Sequence, residues 1–171
     1  MVSPQGSQPA SAERQLQELS AERRLQELGI ELTPAPTPFG AYVESVQTGN
    51  LLYLSGMLPV VGHEPKFIGR LGREFNVDQG REAARIAALN VLSVAKKHLG
   101  SLDKVTGVVR LAVYLATEGD FVAHPKVADA ASELLCDVFG EDKLPVRTVL
   151  GVASLPLGAP VEIEVVLEVG A

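Results

Sequence analysis

The chain has 171 residues with a net charge of −6, and 46% of its residues are hydrophobic, so a wholly disordered chain is excluded. The acidic charge and the 5% of aromatic residues disfavour nucleic acid as a partner. A single cysteine excludes an internal disulfide, and no apolar stretch reaches the ~18 residues of a membrane span. Because the first residues also lack a signal-peptide pattern, we expect a cytoplasmic protein with one main domain and no membrane partner.

The N-terminal part of the sequence divides into a tail and a helical arm. Residues 1–10 are polar and rich in Pro, Ser and Gln, and this composition predicts a disordered tail. Residues 11–28 hold a tandem repeat, SAERQLQEL (Ser11–Leu19) followed by SAERRLQEL (Ser20–Leu28), with helical composition. A spacing of nine residues turns the second pair of leucines to the opposite side of one straight helix. We therefore expect the second copy to dock on the domain and the first to project, fray or contact a neighbouring subunit, unless the duplication has no function.

Residues 29–171 carry the alternating pattern of a main domain. The sequence predicts two helices, Asp78–Leu99 with Asp78 as its N-cap and Pro125–Phe139, each ended by a glycine. The predicted strands are Tyr42–Gln47, Leu51–Ser55, a short strand at Phe67–Leu71, Val105–Ala116, Val146–Val152 and Val161–Val169. This order predicts an α+β fold in which two helices pack on one face of a sheet.

The other face of that sheet is predicted to need a partner. Apolar residues of the strands remain for it, and we assign Val109, Leu111, Val149 and Val165 to this face. Because monomers rarely expose a large apolar patch, the pattern favours a closed homo-oligomer.

Motifs for metal, nucleotide or cysteine chemistry are weak. The three histidines, at positions 63, 98 and 124, have no metal-ligand spacing, so no metal site is predicted. His98 lies where it would favour the dipole at a helix C-terminus. Cys136 lies within the second predicted helix and is interpreted as a small buried hydrophobic residue rather than a nucleophile.

Two charged positions in predicted strands are more informative. Arg147 interrupts the apolar segment Val146–Val152, and its guanidinium either faces solvent or binds a carboxylate in a bidentate manner. In the last strand, Glu162, Glu164 and Glu168 face away from the apolar residues. They form either a solvated acidic face or a pair in which repulsion raises one pKa, and that carboxylate then serves as a base.

The order of the motifs resembles the Rid family, also called the YjgF or endoribonuclease L-PSP family, from about Gly29 to the C-terminus. The resemblance rests on Phe39-Gly-Ala-Tyr42, Gly49-Asn-Leu-Leu-Tyr-Leu-Ser55-Gly56-Met-Leu-Pro59, Pro145-Val-Arg147-Thr-Val149 and Leu155-Pro-Leu-Gly-Ala-Pro-Val-Glu162-Ile-Glu164. It implies a chorismate-mutase-like fold, a single mixed sheet, and a homotrimer with ligand clefts between subunits. It also implies cofactor-independent hydrolysis of enamine and imine acids to 2-oxo acids and ammonia.

The resemblance also assigns roles to individual residues. Arg147 would bind the substrate carboxylate, and Glu162 would position or activate the attacking water. Ser55 and Gly56 would line the cleft, and Tyr42 would close it. The other wall positions are Phe121, Asp129 and Val149.

This sequence departs from the family pattern in the pocket wall. Met57 replaces a glutamine, Val149 a cysteine and Asp129 an asparagine, while Val60–Asp78 and Leu135–Lys143 are longer than in the best-known branch. The substrate therefore stays open. The alternatives are a module that binds a small carboxylate or carbonyl metabolite without turnover and, more weakly because of the acidic charge, an endoribonuclease.

Overall fold

Five strands form one mixed sheet in the computed structural model, which describes residues 19–170. In chain order they are β1 (Ser45–Thr48), β2 (Leu51–Met57), β5 (Val105–Ala116), β6 (Val146–Val152) and β7 (Val161–Val169). Across the sheet the order is β1-β2-β7-β5-β6. All neighbours are antiparallel except β5 and β6, which are parallel. A separate two-stranded hairpin pairs β3 (Val60–Val61) with β4 (Glu64–Pro65).

Two long helices cover one face of the sheet. Helix α2 (Val77–Leu99) packs on β2 and β7, and α3 (His124–Phe139) packs on α2, β5 and β6. The predicted apolar stripe of α2 is fully buried, and it consists of Ala84, Ala87, Ala88, Val91, Leu92 and Ala95. Its many alanines let the helix lie close to the sheet. The predicted α+β fold, with a mixed sheet and two helices on one face, is confirmed.

The N-terminal repeat docks through its second copy, as predicted. Helix α1 (Ala21–Glu27) is capped by Ser20 and buries Ala21 and Leu25 in the main core. Leu28, the last residue of the second copy, is the C-cap that follows the helix and is 42% exposed. The tail (1–10) and the first copy up to residue 18 lie outside the described residues.

Several local predictions differ from the structure. Helix α2 begins one residue earlier than predicted, because Asn76 rather than Asp78 is its N-cap. Asn76 Oδ1 accepts from the Gln79 backbone N–H at 2.9 Å, and Gln79 Oε1 accepts from the Asn76 N–H at 3.0 Å. The first strand begins at Ser45 rather than Tyr42. Residues 67–71 form no strand, although the buried Leu71 makes single bridges to Phe75 and Thr117.

The residues assigned to the uncovered face were also misplaced. Leu111 and Val165 are fully buried beneath the helices, and Val149 packs against the same core. Val109 is exposed at an irregularity between β5 and β7. Strand alternation indicates which residues share a face, but it does not indicate which face the helices cover.

The uncovered face nevertheless carries apolar side chains. One row of paired positions crosses all five strands, formed by Val46, Tyr53, Val166, Arg110 and Val146. Of these, Val46, Tyr53 and Val146 are exposed, as is Leu150 nearby on β6. This face is a mixed apolar and charged surface.

Within residues 19–170, no helix has the length and apolar character needed to cross a membrane.

Candidate active site

A cavity of about 440 Å³ opens where β2 ends and β7 begins. Four residues predicted for the site line it, namely Tyr42, Ser55, Gly56 and Glu162. The structure therefore brings together residues more than one hundred positions apart in the sequence.

The polar end of the cavity is built by an irregularity in strand β2. The pairing of β2 with β7 shifts between Leu54 and Met57, and this shift aligns Gly56 with the Glu162 side chain. A Cβ atom at Gly56 would collide with Oε1 of Glu162. Glycine at this position is therefore what allows the carboxylate to lie against the β2 backbone.

Burial of Glu162 changes its acidity. The side chain is half-buried, and burial raises the pKa of its carboxyl above the ordinary value, with a smaller contribution from the negative charge of Glu164. The sequence predicted the repulsion between these glutamates, and the structure adds burial as the larger cause. Glu164 is engaged by other side chains, since it accepts a hydrogen bond from Tyr114 at 3.1 Å and lies 3.6 Å from Arg110. Glu162 is thus the carboxylate suited to accept a proton.

The hydroxyl of Ser55 and the ring of Tyr42 complete the polar end. Ser55 Oγ donates to the carbonyl of Val43 at 2.6 Å, which fixes the hydroxyl and leaves its lone pairs for a ligand. Tyr42 Oη accepts from the backbone N–H of Phe39 at 3.1 Å. The first contact ties the segment before β1 to β2, and the second closes a turn within that segment.

His63, to which the sequence assigned no role, holds that segment from outside the cavity lining. Its ring stacks on Phe39 with centroids 4.3 Å apart, and its Nδ1 lies 3.0 Å from Thr37 Oγ1. No spacing in the sequence predicts this contact, because it joins the hairpin β3–β4 to a proline-rich loop. The loop Pro36–Tyr42 is called the flap below.

Arg147 lies on the other side of the sheet, against helix α3. Its Nη1 donates to Asp129 Oδ1 at 2.8 Å and to Ser132 Oγ at 2.9 Å. Its side chain is 26% exposed, so it is accessible although it is paired. Asp129, predicted as a wall residue, is therefore the counter-ion of the arginine within this chain.

Two further predicted wall residues lie on the arginine side and do not line the cavity. Val149 follows Arg147 on the helix-covered face of β6 and packs on the core. Phe121 precedes α3 and contacts the His124 ring edge-to-face, with centroids 5.2 Å apart. His124 in turn lies over Gly151, where a Cβ would come within 2.7 Å of its Nε2.

The two groups of predicted residues are separated by the sheet. Arg147 pairs with Leu111, whose side chain is buried under the helices, whereas Glu162 pairs with Tyr114 on the uncovered face. Strand β5 lies between their strands, so the two positions are about 10 Å apart across the sheet and about 10 Å along it. Within one chain, Arg147 and Glu162 therefore cannot contact the same small molecule.

Other candidate chemistry in the described residues is limited. Residues 19–170 contain no group of three or more His, Cys, Asp or Glu side chains arranged to hold a metal ion. Cys136 is half-buried rather than buried as predicted, and desolvation raises the pKa of its thiol, which disfavours the reactive thiolate. His98 contacts Ser45 Oγ at 3.0 Å and Gln47 Oε1 at 3.2 Å, so it ties α2 to β1.

Comparison with known proteins identifies relatives over most of the chain. The family model described as "YjgF/chorismate_mutase-like, putative endoribonuclease" matches residues 22–168. Protein TCP17 of Trypanosoma cruzi is 40% identical over 141 residues, which cover 82% of this chain and 88% of that protein. A 2-iminobutanoate/2-iminopropanoate deaminase of Dermatophagoides farinae is 33% identical over 76% of this chain and 87% of its own length.

Solved structures agree on the fold. The crystal structure of a Shewanella oneidensis protein, described as a candidate endoribonuclease, superposes with a TM-score of 0.84 at 29% identity, covering 88% of this chain and all of that one. A protein of unknown function from Agrobacterium tumefaciens gives 0.81 at 34% identity, covering 95% of this chain and all of its own. The expected chorismate-mutase-like fold is confirmed.

Proposed function

The chain belongs to the YjgF/chorismate-mutase-like family, which includes the Rid proteins, and we propose that it hydrolyses enamine and imine acids to 2-oxo acids and ammonia. The single observation that carries this proposal is the half-buried Glu162, whose raised pKa suits a base, in a cavity shared with Tyr42, Ser55 and Gly56. Relatives named as 2-iminobutanoate/2-iminopropanoate deaminases support the same reaction.

The proposed reaction is addition of water to a carbon–nitrogen double bond. The Glu162 carboxylate accepts a proton from water while the water oxygen bonds to the imine carbon, and the resulting carboxylic acid passes this proton to the nitrogen. The same carboxylate then takes the hydroxyl proton of the carbinolamine and returns it to the nitrogen as the carbon–nitrogen bond breaks, so that ammonia leaves as the 2-oxo acid forms. Because an imine carbon is already electrophilic, a positioned water and a base are sufficient.

Arg147 is proposed to bind the substrate carboxylate from a second copy of the chain. The planar guanidinium suits a carboxylate, and its accessible side chain lies at the edge strand β6. The separation of Arg147 from Glu162 within one chain supports a cleft shared between two copies. We propose a homotrimer, and the exposed Val46, Tyr53, Val146 and Leu150 on the open sheet face favour such an assembly.

The test generates an imine in situ with an amino-acid oxidase and follows its capture by semicarbazide. Hydrolysis by the protein should lower semicarbazone formation and raise the yield of 2-oxo acid at unchanged oxidase turnover. Unchanged trapping, together with thermal stabilisation by 2-oxobutyrate, would contradict hydrolysis and identify a binding module. Unchanged trapping without stabilisation would contradict both functions.

A further inference from the structure

We propose that the cavity selects 2-imino acids that carry a branched or aromatic apolar side chain over three- and four-carbon imino acids. This inference rests on the proposed hydrolase function and specifies its substrate class. It derives from the size, the lining and the rigidity of the cavity half of the site.

The cavity is larger than a short imino acid requires. Its volume is about 440 Å³. A three- or four-carbon imino acid occupies roughly the volume of four water molecules, ~120 Å³. In the proposed cleft a second copy of the chain brings Arg147 to the open side of this cavity, and the space beyond Glu162 within one chain is what remains for the substrate side chain.

The part of the cavity beyond Glu162 is apolar. It is lined by Pro36, Pro38, Phe39, Met57, Leu58 and Val60. Met57, Leu58 and Val60 are almost completely buried and form its floor. Because apolar surface recognises apolar groups, this lining favours a hydrocarbon side chain.

The floor is held open by a buried amide. Asn90, on helix α2, is 3% exposed, and its Nδ2 donates to the carbonyls of Leu58 and Val60 at 2.9 and 3.0 Å. Both donors of one amide thus fix the backbone on which the floor side chains are mounted. Collapse of the floor onto a small substrate would break these buried hydrogen bonds.

The flap adds a restrained aromatic wall to the same cavity. Pro36 and Pro38 restrict its backbone, and His63 holds it through Thr37 and the Phe39 ring. Phe39 is 39% exposed and lines the cavity, so its ring is available to a ligand. Its position favours contact with a branched or aromatic side chain.

The charges around the cavity disfavour one class of large substrate. Glu162 and Glu44 both line it, and Glu44 is paired with Lys97 at 2.7 Å. A second carboxylate on the substrate side chain would meet the Glu162 charge in a partly desolvated site. Size alone would admit the imino acid formed from glutamate, but charge should exclude it.

The experiment compares imines made in situ from leucine, phenylalanine, 2-aminobutyrate and glutamate, with the oxidases adjusted to give equal imine fluxes. Partition between hydrolysis and semicarbazide trapping gives relative kcat/KM values. We expect the leucine and phenylalanine imines to exceed the 2-aminobutyrate imine by about tenfold or more, and the glutamate imine to be the poorest. Equal values, or a preference for the 2-aminobutyrate imine, would overturn the selectivity while leaving the hydrolase function intact. No acceleration with any imine would overturn both.

A pair of variants distinguishes the effect of losing the Phe39 ring from the effect of a general loosening of the flap. Phe39→Ala should lower kcat/KM for the phenylalanine imine about tenfold through KM and change the 2-aminobutyrate value less than about twofold. His63→Ala removes the stacking partner without altering the lining and should affect both imines equally and weakly. An equal loss for both imines in Phe39→Ala would overturn the role of the wall. Unchanged thermal midpoints would verify that both variants fold.

Discussion

The two sides of the sheet carry different halves of the candidate site. The cavity half, formed by Tyr42, Ser55, Gly56 and Glu162, is concave and places a base with a raised pKa beside the β2 backbone. The arginine half, formed by Arg147 with Asp129 and Ser132, is an accessible cation already paired with its own counter-ion. The first half can accept a proton but lacks a cation for a carboxylate substrate, and the second offers only the cation. A second copy of the chain would join them.

Removing the Arg147 cation from the arginine half should cause the largest loss of activity. Arg147→Ala is expected to lower kcat/KM by about 10²- to 10³-fold, because a charge-assisted bond to the substrate carboxylate is lost. Arg147→Lys should retain part of the activity, since lysine keeps the charge without the planar fork. Steady-state hydrolysis of trapped imines measures both variants.

The matched control is Arg23→Ala, which removes another ion-paired arginine, on helix α1. It should leave kcat/KM unchanged. Normal kcat/KM in Arg147→Ala would show that the arginine half takes no part in catalysis.

Removing the base should change the rate and its pH dependence together. Glu162→Gln is expected to lower kcat by about 10²-fold, the usual range for a general base. In the native protein the rate should fall as the pH decreases through the raised pKa of Glu162, because protonation removes the base. The variant should lose this acid limb, which a pH profile of kcat measures. An acid limb that is unchanged in Glu162→Gln would show that the titration of another group causes it.

Removing the counter-ion of Arg147 should strengthen ligand binding by the arginine half. Asp129→Asn frees Arg147 from a carboxylate that is 44% exposed, so the dissociation constant for 2-oxobutyrate should fall by about two- to fivefold. Titration calorimetry measures it, with Asp137→Asn, an exposed position on the same helix, as the control. Weaker binding in Asp129→Asn would mean that Asp129 orients the arginine rather than competing with the ligand.

The smallest expected effect is on stability. Because the pKa of Glu162 is raised in the folded state, its ionised form is disfavoured there. The native protein should therefore lose stability as the pH rises from the ordinary carboxyl pKa through the raised value. Glu162→Gln should melt about 1 to 3 °C higher than the native protein near neutral pH, and this difference should vanish in acid. Calorimetric melting against pH measures it, and a constant difference would contradict the charge effect.

The elements of the main domain could be predicted from the sequence because each has a strong local signal. Strands β5, β6 and β7 match their predicted ranges, and α3 begins one residue before its prediction. Capping was less predictable, because Asn76 and Asp78 are both good N-cap residues and the side chain of Gln79 decides between them.

The site was less predictable than the elements. Alternation placed Glu162 and Glu164 on one face, but the burial that raises the pKa of Glu162 depends on the flap and on β2. The faces of Arg147 and Glu162 follow from strand order and from where the helices lie, neither of which alternation encodes. The contact of His63 with Phe39 joins two loops and has no local sequence signal.

The most direct test of the shared cleft mixes two inactive chains. Arg147→Ala and Glu162→Gln chains, co-expressed with different tags and purified as mixed trimers, should recover about a third of native activity, since one of the three clefts in every mixed trimer unites an intact cavity half with an intact arginine half. Each variant alone should stay inactive. Activity in the mixture no greater than that of the separate variants would contradict a cleft built from two copies of the chain.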